Sequence, residues 1–129
     1  EIAGHQLSCS HSGDYTLAVL SQNLIACDIE LVNNSMAVES LGSIDIKMQE
    51  HLVDHYHDSP LVAALRLWTV QECLKKAELP LSTPLTIDNN TSSDCLLFTA
   101  GDHLLISYLA EFNNSQQLVI SLFLTHKED

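Results

Sequence analysis

Three short stretches of this sequence carry residue types that can do chemistry together. Asp28-x-Glu30 sets two carboxylates two residues apart. On a strand that spacing turns both to one face, where they could serve a hard divalent cation such as Mg²⁺, which takes roughly one to three carboxylates and completes its shell with water and substrate phosphate. Ser10-His11-Ser12 offers an imidazole and two hydroxyls able to donate to phosphate oxygens. Leu61, Leu65, Trp68, Glu72 and Lys76 follow one another at spacings of four, three, four and four, which lines them along one helix face. Aromatic ring, acid and base share that stripe. Each segment alone has a plainer reading: a solvated strand face for Asp28 and Glu30, a turn for His11, and a surface pair of about 0.3 kcal/mol for Glu72 and Lys76.

The elements that must position these residues are legible in outline. Residues 5–10 and 15–21 are rich in strand formers and are separated by Gly13-Asp14, which predicts a hairpin. In residues 24–32 the alternation puts Ile25, Cys27, Ile29 and Leu31 on one side of a strand and Ala26, Asp28 and Glu30 on the other. Ile44, Met48, Leu52 and Val53 predict a helix over about residues 42–57. Ser59-Pro60 restarts a second helix, which runs to about Glu78 before Pro80 and Ser82-Thr83-Pro84 open a loop. Residues 95–99, 104–111 and 118–125 then read as an antiparallel meander, broken at Ala100-Gly101-Asp102 and Asn113-Asn114-Ser115. Strands, two helices and strands again predict one α+β domain over residues 1–129, an antiparallel sheet with both helices packed on one face.

Charge narrows the partners. The chain has 129 residues, with five basic and seventeen acidic side chains and a net charge of −12. Nucleic acid and anionic membranes demand a basic surface and are excluded as partners. No apolar run approaches the roughly 20 residues that span a bilayer, and no signal-peptide pattern opens the sequence. The four cysteines form no Cys-x-x-Cys pair, which suits reduced thiols in a cytoplasm. Of Lys47, Arg66, Lys75, Lys76 and Lys127, three lie within eleven residues, a cluster able to hold an anionic substrate.

Taken together, Cys9-Ser10-His11-Ser12-Gly13-Asp14-Tyr15, Ile25-Ala26-Cys27-Asp28-Ile29-Glu30 and Leu67-Trp68-Thr69-Val70-Gln71-Glu72-Cys73-Leu74-Lys75-Lys76-Ala77 resemble, in order, the Ser-His-Ser, Gly-Val-Asp-Ile-Glu and Trp-x-x-Lys-Glu-Ala-x-x-Lys-Ala motifs of the Sfp-type 4′-phosphopantetheinyl transferases. The resemblance covers residues 8–77. It implies the transferase fold and a holo-[acyl-carrier-protein] synthase activity: Mg²⁺-dependent transfer of 4′-phosphopantetheine from coenzyme A to a serine of an acyl- or peptidyl-carrier protein. It also implies that Asp28, Glu30 and Glu72 are the Mg²⁺ ligands, that Ser10, His11 and Lys76 hold coenzyme A phosphates, that Glu72, Lys76 and His11 are the catalytic set, and that Trp68 packs behind the site.

Departures from the family pattern shape the alternatives. Gln71 stands where the family has Lys before the helix glutamate, and the family's basic and Gly-Lys-Pro segments are absent. The chain matches the second of two similar family halves, so it is expected to be excised from a larger chain, such as a polyketide or polyunsaturated fatty acid synthase with its carrier in the same polypeptide. Shorter relatives assemble as trimers, which makes a homo-oligomer, trimer before dimer, the expectation here. The rival reading is an inactive structural or docking module of the same fold. A third is a transition-metal site at His51, His55 and His57 with Asp54 and Asp58 nearby; no Cys follows at zinc-site spacing, and a solvated helix end is the preferred reading.

Overall fold

Gly13 sets the first turn: its φ of +57° suits the first central position of a two-residue type II′ hairpin turn, and a β-carbon there would stand 3.2 Å from Leu31 Cδ2. The computed structural model describes residues 4–42, 44–80, 82–88, 92, 94–112 and 115–124. Lys127, Thr125 and the Asn113-Asn114 turn lie outside the described residues. The turn joins β1 (Gln6–Ser12) to β2 (Tyr15–Ser21), which pair antiparallel as a two-stranded sheet.

β3 (Ile25–Leu31) belongs to a second sheet. After it come a 3-10 turn at Val38–Leu41, α1 (Ile46–Tyr56), α2 (Pro60–Lys76), β4 (Leu85–Ile87), β5 (Cys95–Ala100), β6 (His103–Glu111) and β7 (Gln117–Leu124). The five strands run in the order β3-β7-β6-β5-β4, every pairing antiparallel. The fold is thus α+β, with the expected meander closed on one side by β3. β4 falls where the sequence predicts only loop; three residues between prolines and turn formers give too short an alternation to read.

Local chemistry explains the helix ends. Asp45 caps α1 by accepting the Met48 amide at 3.1 Å. The helix therefore starts at Ile46 rather than near residue 42, and the stretch before it closes as the 3-10 turn. Ser59 caps α2 through the Val62 amide at 3.1 Å, with Pro60 at the first helical position. Glu78, at φ 61°, ends that helix in the left-handed conformation.

α2 lies against β3, β7 and β6, and α1 packs on α2. Phe98, Leu105 and Phe123 of the sheet form one core with Leu67, Val70 and Leu74 of α2 and Leu52 of α1, so both helices occupy one side of the sheet. Register identifies the residues on that side: Asp28 faces Ser121 across β3 and β7, and Ser121 faces Ser107 across β7 and β6. Cross-strand partners share a face, so a polar row crosses the sheet beneath α2. α2 answers it with Arg66, Thr69 and Cys73 at helical spacing: Arg66 donates to the Ser107 carbonyl at 2.7 Å, Thr69 and Ser121 share a hydroxyl contact of 2.7 Å, and Cys73 Sγ donates to the Ser121 carbonyl at 3.4 Å.

Candidate functional site

Asp28 and Glu30 stand at the end of the polar row nearest the hairpin, on the face of β3 that carries α2. The pleat puts them on that face, as the alternation predicts. β1 runs beside β3 without backbone pairing. Instead Ser8, Ser10 and Ser12 present their hydroxyls to the outer edge of β3, accepting the amides of Cys27 at 3.1 Å, Ile29 at 3.1 Å and Leu31 at 2.9 Å. Two of these hydroxyls also donate: Ser10 Oγ to Asp28 Oδ1 at 2.9 Å, and Ser12 Oγ to Glu30 Oε1 at 3.1 Å. A strand edge that would otherwise expose its amides is thereby satisfied by side chains. The signal was in the sequence as serines at every second position of β1, although an alternating serine strand reads as ordinary polar alternation.

The last turn of α2 closes the site. Lys76 Nζ donates to the carbonyls of Cys27 at 2.7 Å and Cys9 at 3.0 Å, and lies 3.8 Å from Asp28 Oδ1. The ammonium thus bridges the hairpin and the main sheet. Glu72 projects from the same helix face one turn earlier, and its negative charge reaches Asp28. Burial, before any charge effect, raises the Asp28 carboxyl above the usual carboxylate range; the Ser10 hydrogen bond and Lys76 oppose that shift, and Glu72 and Glu30 add to it. Burial likewise raises the thiols of Cys27 and Cys73, so neither is a ready thiolate.

Not every expected residue joins this group. Glu72 pairs with Lys75 at 2.7 Å, and among the described residues no set of three or more His, Cys, Asp and Glu side chains is gathered closely enough to hold a metal ion. The expected convergence of Asp28, Glu30 and Glu72 on one point is therefore not met by their side-chain positions, with Glu72 paired to Lys75. The same absence applies to His51, His55 and His57, although the rings of His51 and His55 lie 4.3 Å apart. Ser10 and His11 point to opposite sides of β1, with Ser10 turned inward and His11 exposed. The single hydroxyl proton of Ser10 goes to Asp28 rather than to an open phosphate position. Trp68 is half-buried, one turn before Glu72.

Arg66 corrects the reading of a cationic cluster. It is fully buried and donates to both carboxylate oxygens of Asp58, at 2.9 Å and 3.4 Å, as well as to Ser107. The stripe to which it belongs faces the sheet, so its charge serves the core and not an incoming anion. Lys75 and Lys76 remain as the cations on the surface of α2.

One atom bears on whether a cation suits this group. Asp28 Oδ2 is buried and takes no hydrogen bond. An ionised oxygen in that position is costly without a donor, so the atom calls for a proton or a cation. Together with Glu30 on the same face it gives the one or two carboxylates that Mg²⁺ accepts beside water and phosphate. In this arrangement Oδ2 is closed to solvent, so an ion would reach it only after a local shift, and Glu72 would first have to leave Lys75. No protein-family model matches this chain, and no curated protein matches it.

Proposed function

We propose that this chain is a 4′-phosphopantetheinyl transferase domain that moves the phosphopantetheine arm of coenzyme A onto a serine of an acyl- or peptidyl-carrier protein. The observation that carries this reading is the meeting of motif residues from three segments at one place. Ser10 donates to Asp28 Oδ1 at 2.9 Å, and Lys76 lies 3.8 Å from the same oxygen. Asp28 and Glu30 would hold Mg²⁺, joined by Glu72 once its carboxylate turns from Lys75. Bound there, the ion supplies charge stabilisation for the pyrophosphate of coenzyme A.

The chain's own groups account for the rest. The carrier serine attacks the phosphorus bearing pantetheine, and adenosine 3′,5′-bisphosphate leaves. Lys76 supplies the local positive charge that offsets charge growing on the phosphate oxygens. Glu72, or a water on the ion, would receive the proton of the carrier serine. His11, exposed on the outer face of β1, is assigned to a coenzyme A phosphate.

No helix among the described residues is long and apolar enough to cross a membrane; we assign the domain to the cytoplasm, where coenzyme A and carrier proteins are found. The sheet face turned away from α2 carries Leu97, Ile106, Ile120 and Leu122 half-buried and Tyr108 45% exposed. That apolar surface supports association with further copies or with an upstream half; the preference for a trimer over a dimer comes from the family resemblance alone. Tethering in one polypeptide would also raise the local carrier concentration to about the millimolar range, which suits a chain whose charge of −12 gives no attraction for an acidic carrier.

A second reading, an inactive module of the same fold, is favoured by the engagement of Glu72 with Lys75 and by Gln71 before it. Incubation with labelled coenzyme A, Mg²⁺ and a panel of apo-carriers separates the two. A mass increase of one phosphopantetheine on a carrier is expected. No transfer, together with no calorimetric heat from coenzyme A and Mg²⁺, leaves the inert module.

A further inference from the structure

The hairpin leaves one strand edge unused. β1 is joined to β3 through Ser8, Ser10 and Ser12, while β2 pairs with β1 alone among the described residues. The Cys9 carbonyl identifies which groups of β2 are left over. It accepts the Lys76 ammonium at 3.0 Å and so points away from β2, and Cys9 stands directly opposite Ala18. Opposed residues of an antiparallel pair either exchange both backbone bonds or turn both away. Ala18 therefore turns its amide and carbonyl to the outer edge of β2, and Thr16 and Leu20 do the same at the two-residue repeat. None of these groups bonds to another described residue. Native edges are commonly guarded by a charge, a proline, a bulge or a covering segment. Tyr15–Ser21 has neither charge nor proline, and it pairs with β1 residue for residue without a bulge. Its outward face is apolar at one end, where Leu20 is 47% exposed beside its cross-strand partner Leu7 at 52%.

We propose that β2 pairs antiparallel with β2 of a second copy of this chain, about a two-fold axis at Ala18, joining two hairpins into one four-stranded sheet. Charge selects the occupant. A chain of net charge −12 repels its own kind, so two copies meet best where acids are absent, and no charged residue occurs from Tyr15 to Cys27. A cationic partner strand would find no acid along this edge to recognise. The axis also suits the side chains. Ala18 meets Ala18 of the other copy, Thr16 meets Leu20, and the nearest acid, Asp14, falls opposite Gln22 rather than opposite its own counterpart. The residues that face one another are those with free amides and carbonyls, so each copy offers the same donors and acceptors to the other, as a self-complementary two-fold contact requires. The contact closes as a dimer, because pairing uses up the β2 edge of both copies. It lies on the hairpin, separate from the outer face of the main sheet, and is independent of which group the chain transfers.

Sedimentation equilibrium of the whole chain is expected to show a monomer–dimer equilibrium, with the amides of Thr16, Ala18 and Leu20 exchanging more slowly in the dimer. Ala18 is exposed, so a charge there leaves the core untouched, which circular dichroism checks. Ala18→Asp and Ala18→Lys each set like charges against one another across the axis and should raise the dimer Kd by about tenfold or more. Mixed one to one, the two variants set opposite charges across the axis and should recover the dimer. A hairpin that was merely loosened by substitution would give no such recovery. Tyr108→Ser, on the outer face of the main sheet, should leave the dimer unchanged. Several results would overturn the proposal: a chain monomeric up to about 1 mM, where a contact worth only about 4 kcal/mol is half formed; a trimer; single Ala18 variants that dimerise like the parent; no recovery in the mixture; or loss of the dimer in Tyr108→Ser.

Discussion

Lys76 Nζ joins Cys9 and Cys27 by donating to both of their carbonyls, at 3.0 Å and 2.7 Å, and in doing so holds the hairpin against the main sheet. The same ammonium lies 3.8 Å from Asp28 Oδ1, so one residue both ties the hairpin down and sets the charge beside the carboxylate.

Lys76→Ala is therefore expected to cost stability as well as ligand affinity. Two hydrogen bonds to a charged donor are lost, but the side chain is 36% exposed and water can replace part of them. A loss of about 1–2 kcal/mol follows. Urea denaturation measures it, and coenzyme A affinity by calorimetry should fall in parallel. Lys75→Ala, which breaks only an exposed pair, should stay within about 0.5 kcal/mol.

Asp28 makes the stability of the domain depend on pH in an unusual direction for an acid near a cation. Burial raises its folded-state pKa above the ordinary 3.8. A raised group gives its full contribution below the unfolded value and loses it as pH climbs through the folded value. Ionised Asp28 thus opposes folding at neutral pH. Asp28→Asn keeps an acceptor for Ser10 and removes the charge, so it should raise the melting temperature at pH 7. The gain should shrink as pH falls toward 3.8. An Asn variant less stable than the parent at pH 7 would show that Lys76 outweighs burial.

Arg66 and Asp58 form a buried pair whose loss should dominate any scan of α2. Removing one partner leaves the other charge buried and alone, at a cost of about 3–5 kcal/mol. Arg66→Ala and Asp58→Ala should each show it in denaturant titrations. Arg66→Ala with Asp58→Leu removes both charges together and should lose less than the sum of the single changes. A small effect from Arg66→Ala would restore it as a candidate surface anion site.

How much of this could be read from the sequence depends on the range of the interaction. Strand alternation and helix spacing are local, and they correctly put Asp28 and Glu30 on one face and the helix stripe along α2. The side on which Arg66 falls is not local. Its neighbours suggest a surface cation, and only the placement of Asp58 and Ser107 beneath it makes burial tolerable. The serine edge of β1 was hidden for the same reason: hydroxyls replace a backbone ladder only because β1 lies alongside β3 as a separate sheet. β4 was too short to carry a period. The specific transferase fold and its chemistry rest on motif resemblance, because side-chain rotation decides whether Glu72 faces Lys75 or Asp28, and spacing along a helix does not report rotamers.

Glu72 is where that choice of rotamer has a functional consequence. Its carboxylate now pairs with Lys75 at 2.7 Å, with the Lys75 side chain 55% exposed, and a pair of that kind is worth little. Turning toward Asp28 therefore costs little once a cation is present to absorb the repulsion between the two acids. Glu72→Gln preserves the shape of the side chain and removes both its charge and its capacity to take a proton. Folding stability should change by less than about 1 kcal/mol. Transfer to an apo-carrier, followed as the mass shift of the carrier, should fall by about a hundredfold or more, in line with the loss of a general base. Lys75→Ala should leave transfer intact or raise it, since it frees the carboxylate. If Glu72→Gln transfers at the parental rate, Glu72 is no part of the mechanism and its pairing with Lys75 is its whole role.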